Sequence, residues 1–403
     1  MTESQASERV LIAIIAAIQF VSIVEFMMVA PLGPDFVAGF GMASESIGVV
    51  AGSYTAAAAF STIISASFLD RFERRRLLVL AMFGVAAGTA AGAFAYDLNS
   101  LVAARIFAGL CGGPATALAL ALLADAVPPE RRGKAMGIVM SAFSLASVLG
   151  VPFSLELARV AGWHAPFIAV ALLGALVACV AWRYLPKQRA NVRSGASYGG
   201  FQAIRVLFRR PEVGLSIAAT SMGMIGAFLV IPSISVFFQF NLGLPRDSLA
   251  SLYLAGGAVT FVSMWLAGKY TDKLGAVVVS AVATVLLLVV TYVGFVRSEL
   301  GVPLIVVFVF FMVAMSARNV AASTLNSQVP PPDQRGAFMA INSTAQNICA
   351  SVGAAISSLM LGSAADGKLT GMEYVAFLSM LFAASLPVLL WMVNVRLART
   401  TRY

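Results

Sequence analysis

Residues Val10 to Leu32 form an apolar run of 23 residues in which Glu25 is the only charge. A helix of that length crosses the hydrocarbon core of a bilayer. Lipid leaves such a segment few options, because backbone N–H and C=O groups must be satisfied without water. The pattern recurs along the chain. Twelve apolar segments fall at about 10–32, 46–67, 77–95, 101–124, 135–157, 164–185, 212–239, 248–268, 276–296, 302–327, 338–362 and 372–395. With 60% hydrophobic and 11% charged residues, the composition lies outside that of soluble domains. The expected fold class is therefore all-α and polytopic, with twelve transmembrane helices. The first run is too long for a signal-peptide core and has no small-residue cleavage site, so it is expected to stay as an uncleaved anchor.

The formal net charge of +9 could point to a polyanionic partner, but the placement of the basic residues gives a simpler cause. With the N-terminus inside, 21 of the 27 Lys and Arg residues fall in inner segments. Four lie outside (Arg159, Arg246, Arg297, Lys368) and two, Arg105 and Arg318, lie within spans. That asymmetry orients both termini to the cytoplasm and removes the need for nucleic acid. Cys111, Cys179 and Cys349 all sit in apolar runs, which suggests neither a disulfide framework nor a metal site. No nucleophile stands near a base at recognisable spacing and no phosphate-binding Gly-x-x-x-x-Gly-Lys-Ser/Thr loop occurs. Neither an enzyme nor an ATP-driven pump is expected, and no cofactor.

One long polar break, residues 186–211, divides the chain into halves of six spans, 1–185 and 212–403. Its second part, Phe201 to Pro211, mixes Phe201, Ile204, Leu207 and Phe208 with Arg205, Arg209 and Arg210. It reads either as a basic amphipathic helix on the inner leaflet or as an extension of the seventh span. The halves repeat. Val127-Pro-Pro-Glu-Arg-Arg-Gly133 after span four returns as Val329-Pro-Pro-Pro-Asp-Gln-Arg-Gly336 after span ten, with the valines 202 residues apart. Asp70-Arg71 after span two returns as Asp272-Lys273 after span eight, again 202 apart. Two loops at one offset argue for duplication of a six-helix unit.

These features resemble the major facilitator superfamily over essentially the whole chain. The loop signature of that family, Gly-x-x-x-Asp-Arg-x-Gly-Arg-Arg, is matched by Asp70, Arg71, Arg74 and Arg75, with Ala66 and Glu73 in place of the glycines. Three further patches resemble the drug–proton antiporter branch, in particular the arabinose-efflux-like bacterial exporters. They are Glu25-Phe-Met-Met-Val-Ala-Pro31, Arg105-Ile-Phe-Ala-Gly109, and Ser147-Val-Leu-Gly150-Val-Pro152-Phe-Ser154. In the last, an antiporter-like motif, Val151 separates Gly150 from Pro152 and Ser154 replaces a glycine. The resemblance implies two parallel six-helix halves around a cavity open alternately to either side. It further implies a bacterial cytoplasmic (inner) membrane location and a protein that works as a monomer. Asp70, Arg71, Arg74, Asp125 and Asp272 are then expected at an inner gate.

A carboxylate alone in 23 apolar residues costs several kcal/mol at mid-membrane if it stays ionised and unpaired. Glu25 is therefore read as proton- or substrate-handling, the alternative being a structural ion pair. Arg105, the only charge in 101–124, lies at comparable depth and is the expected partner, unless it braces backbone carbonyls instead. Arg318 either meets substrate or reaches a backbone carbonyl or lipid phosphate. Asn342 and Gln346 share a helix face, set to bind substrate or to bridge helices. Met28, Phe228 and Tyr253 are read as a soft substrate wall against the alternative of packing. His164 reads as an interfacial anchor, while Glu156 stands with Asp125 as a further proton candidate. The expected function is proton-coupled export of a small organic molecule. Two alternatives stand beside it: a sugar, lysolipid or metabolite transporter working as importer or facilitator, and a non-transporting membrane receptor.

Overall fold

A computed structural model describes residues 3–65, 73–185, 210–330 and 335–400. Asp70, Arg71, most of the 186–211 segment and the 331–334 loop lie outside the described residues. The chain divides into two compact units. One comprises Met1–Met42 with Ser53–Gly195, and the other Ala43–Gly52 with Ala196–Tyr403. Ala43–Gly52 was expected in the first half. Its place in the second unit has a local cause. Ser44 N–H donates to Ser363 Oγ at 2.9 Å, Ser44 Oγ donates to Gly367 O at 2.7 Å, and Ser358 Oγ donates to Glu45 O at 2.6 Å.

The first unit contains α1 (Glu3–Met27), α2 (Gly33–Phe40), α3 (Ile47–Ser65, from Ser53 onward), α4 (Arg74–Ala93), α5 (Leu98–Ala126), α6 (Pro129–Leu145), α7 (Val151–Ala161) and α8 (His164–Tyr184). Local sequence sets several of these limits. Asp97 and Ser100 form a capping box at the start of α5, satisfying two end N–H groups. Proline stands in the first turn of α2 and α6, where its missing N–H costs nothing. Gly162, at φ 84°, turns the chain between α7 and α8, a conformation that suits glycine. A π-helical turn, Ala146–Gly150, joins α6 to α7.

The second unit contains α9 (Pro211–Val230), prolonged by 3-10, α and π turns to Asn241, then α10 (Ser248–Leu274), α11 (Ala276–Thr291), α12 (Leu304–Asn326), α13 (Arg335–Met360) and α14 (Met372–Thr400). A two-residue hairpin, β1 (Gly362–Ser363) with β2 (Leu369–Thr370), precedes α14. Asn241 clasps it, donating to Leu369 O at 2.7 Å and accepting from Leu369 N–H at 2.9 Å. Val213, Ile217, Phe338, Leu386 and Leu390 centre its core.

Helix lies within each of the twelve expected segments. Eleven helical stretches among the described residues are long and apolar enough to cross a membrane. α13 is not one of them, since Asn342, Thr344, Gln346 and Asn347 lower its hydropathy. Large apolar side chains stay exposed along the helices, among them Leu80, Leu172, Trp265, Val282 and Leu359, as befits a surface whose solvent is lipid rather than water.

Candidate functional site

In the first unit, α1 and α5 bring two charges together in the interior. Glu25 is 0% exposed and Arg105 is 2% exposed. Arg105 Nη1 donates to Glu25 Oε1, closing a buried ion pair. The pair is incompletely satisfied: Glu25 Oε2 and Arg105 Nε and Nη2 have no hydrogen-bond partner. The Arg105 guanidinium also lies over the Tyr54 ring, 4.5 Å from its centroid, a cation–π contact. Thr89, on α4, spends its hydroxyl on Val85 O at 2.8 Å.

Small residues make this approach possible. A Cβ on Gly109 would collide with Tyr54 O, and one on Gly112 with the Tyr54 hydroxyl. The Arg105-x-x-x-Gly109 spacing thus lets α3 close on α5 one turn from the arginine, as small residues do at membrane helix interfaces. On the other side of α1, a Cβ on Gly150 would strike Val24, the neighbour of Glu25. Gly150 ends the π turn and Pro152 sits in the first turn of α7. Ser154 Oγ donates to Gly150 O at 2.8 Å, and Ser147 Oγ donates to Met27 Sδ at 3.8 Å. The antiporter-like segment is thereby a packing surface against the stretch of α1 that carries Glu25.

At the other end of the unit, Arg74 pairs with Asp125. Arg76 pairs with Glu73 at 2.7 Å and Arg131 with Glu8 at 3.0 Å. Arg75 Nη1 donates to Leu185 O at 3.1 Å, and its guanidinium lies 4.8 Å from the Trp182 ring centroid. Of the expected gate residues, the structure joins Arg74 to Asp125, while Asp272 is exposed on α10 in the second unit. Glu156 is bound twice by Arg159, one turn along α7, at 2.6 and 2.9 Å. His164 Nδ1 lies 2.5 Å from Ala93 O, at the end of α4, and its ring stacks on Trp163 at 3.7 Å.

The second unit holds a cavity between α9, α12, α13 and α14. Arg318, Asn342 and Gln346, all singled out in the sequence, line it. Arg318 is 3% exposed, and its Nη2 donates to Ala383 O at 3.1 Å. Arg318 thus lines this cavity and at the same time braces a backbone carbonyl. Asn342 Oδ1 accepts from Thr220 Oγ1 at 2.7 Å, and Asn326 Oδ1 from Ser216 Oγ at 2.5 Å.

Three expected wall residues lie elsewhere. Tyr253 shares a 2.9 Å hydrogen bond with Ser235 and meets Phe308 edge-on at 4.7 Å. Phe228 is 7% exposed within its own unit, and Met28 is fully buried in the first. None of the three lines this cavity. Apolar bulk alone does not separate packing from binding. Tyr54, Thr89, Thr220 and Asn326 were not foreseen, since a hydroxyl or amide in an apolar run gives no sign of which face it occupies.

The profile of the Major Facilitator Superfamily matches residues 15–354 and 218–401. The chain belongs to that superfamily and is a multi-pass membrane protein. Among characterised sequences it is 28% identical over 268 residues to a chloramphenicol resistance protein of Streptomyces lividans, covering 66% of this chain and 67% of that one. It is 27% identical over 274 residues to the purine ribonucleoside efflux pump NepI of Escherichia coli K12, with the same coverage. It is also 24% identical over 226 residues to the uncharacterized MFS-type transporter YtbD of Bacillus subtilis, spanning 56% of either length. Among solved structures, a bacterial homologue of the human lysosomal transporter Spinster matches with a TM-score of 0.73 at 15% identity, covering 99% of this chain and 96% of that one. A D-xylose–proton symporter matches with a TM-score of 0.72 at 17% identity, covering 95% and 97%. At such identities these structures share the fold with this chain.

Proposed function

We propose that this chain is a secondary active transporter that exports a small organic molecule from the cytoplasm across a bacterial inner membrane, driven by protons. The observation that carries this reading is the buried Glu25–Arg105 pair, with its unspent donors and acceptor. A structural ion pair in the membrane interior gains from having every polar atom satisfied. One with a free carboxylate oxygen and free guanidinium N–H groups keeps room for a proton or a solute. Protonation of Glu25 removes its attraction for Arg105, and the two states of that pair can then be tied to the two directions of opening. Export is supported by the printed functions of two relatives, a resistance protein and an efflux pump.

The test uses proteoliposomes with an imposed pH gradient and a panel of candidate compounds. Glu25→Gln keeps shape and hydrogen bonding but cannot titrate. It is expected to retain substrate binding and exchange at equal pH while losing uphill transport. Full gradient-driven transport by Glu25→Gln would make Glu25 structural. Uptake with the gradient, instead of export, would reverse the direction assigned here.

A further inference from the structure

The cavity of the second unit has a chemical bias that its residues make plain. Among the described residues, its one charged lining residue is Arg318, 3% exposed, and no carboxylate lines it. Arg318 Nε has no partner, Nη1 has only the Met315 sulfur at 3.9 Å, and Nη2 is spent on Ala383 O. A buried guanidinium without a counter-charge is costly unless an anion joins it.

The amides sharpen the bias. The side-chain oxygens of Asn326 and Asn342 already accept from Ser216 and Thr220, so each amide has its NH2 donors left to offer. The cavity thus presents donors and one positive charge. A single cation, with no second Lys or Arg among the described lining residues, matches a monoanion. A dianion would leave a net negative charge buried. The remaining wall is supplied by Met224, Met315, Met339 and Leu386, with thioethers that adapt to an irregular apolar shape.

From this we infer that the cavity is a binding site for an organic monocarboxylate, the carboxylate held by Arg318 and the apolar body resting on the methionines. The inference rests on the reading of the chain as a carrier of small organic molecules, and it names the class.

The test measures binding, without any gradient, to the full chain in a phospholipid-free detergent at fixed pH. The probes are benzoate and hexanoate, each set against its primary amide, read by thermal shift and calorimetry. At least one acid is expected to bind while its amide does not. Arg318→Gln is expected to weaken that acid about tenfold or more. Because Arg318→Gln also frees Ala383 O, Asn342→Ala serves as a second variant, removing a donor and keeping the guanidinium. It too is expected to weaken the acid. Equal binding of amide and acid, failure of both acids, or acid binding unchanged in both variants overturns the inference. Displacement of the acid by phosphatidylglycerol would assign the site to a lipid headgroup and also overturn it. Recognition is read here without any gradient and coupling only under one, so loss of recognition and loss of coupling register separately.

Discussion

Arg105 and Glu25 share one energy, and removing either partner tests how it is held. Arg105→Ala leaves a carboxylate with zero exposure and no counter-charge. Breaking a buried pair in this way costs about 3–5 kcal/mol. A large drop in melting temperature in detergent is expected, and Glu25→Gln, which leaves the Arg105 guanidinium buried without its counter-charge, is expected to fall comparably. The Arg74–Asp125 pair gives the opposite contrast. Asp125 is 52% exposed, and exposed pairs contribute about 0–1 kcal/mol. Asp125→Asn is therefore expected to leave the melting temperature within a few degrees of wild type. If the pair belongs to an inner gate, the same variant slows transport. Unchanged rates would remove it from the gate.

Asp97 carries a pH dependence of known sign. Hydrogen bonds from the Ser100 side chain and backbone hold its carboxyl below the usual carboxylate range. A depressed folded value stabilises above the unfolded pKa and is lost as pH falls through the folded one. Asp97→Ala is expected to lower the melting temperature at neutral pH, with the gap closing in strong acid. Residues such as Glu25 and Arg105 were legible because a lone charge in an apolar run has an energetic cost that demands an explanation. Tyr54 was not, because an aromatic there packs as well as it binds. The Arg105-x-x-x-Gly109 spacing, which admits Tyr54, was the available signal.

Among the elements, the contact of α4 with α5 depends on the absence of side chains. A Cβ on Gly88 would lie 2.7 Å from Ala108 N and 2.8 Å from Ala108 Cα, which backbone cannot accommodate without moving. Gly88→Val is expected to destabilise by about 1–3 kcal/mol or more, read by thermal melting, and to perturb Arg105, which lies one turn from Ala108. The span positions were legible because apolar length is imposed by the bilayer. Two features were not. α2 occupies a stretch left between the first two expected spans, although Pro34 in its first turn and Asp35 beside it are start signals. The hairpin of Gly362–Ser363 with Leu369–Thr370 depends on Asn241, 128 positions away in sequence from Leu369, and no local pattern reports that.

For the whole molecule, the repeated loops that suggest a duplicated six-helix unit are not matched by repeated chemistry. The loops recur at 202 residues, yet the positions 202 beyond Glu25 and Arg105 are Ala227 and Val307, and the one 202 before Arg318 is Thr116. The proposed proton site belongs to the first unit and the proposed substrate cavity to the second. From the distribution of basic residues we propose that both termini and the 186–211 segment face the cytoplasm. A cysteine placed at Arg193 in a cysteine-free variant is expected to react with impermeant reagents only from the cytoplasmic side. Reaction from outside would invert the topology.

The polarity of α13 also bears on how the chain is made. A translocon admits each segment according to its own hydrophobicity, and α13 is not among the described helices long and apolar enough to cross a membrane. Its support is α9, on which it packs. Gly353 lies against the Ile225 backbone, and Ser357 Oγ donates to Leu229 O at 2.6 Å. α13 is therefore expected to enter the bilayer with the support of a helix synthesised more than a hundred residues earlier. Fused alone to a glycosylation reporter, residues 335–360 are expected to insert poorly, and in a chain that begins at α9 they are expected to insert well. The residues that make the cavity polar are thus expected to make the order of synthesis matter as well.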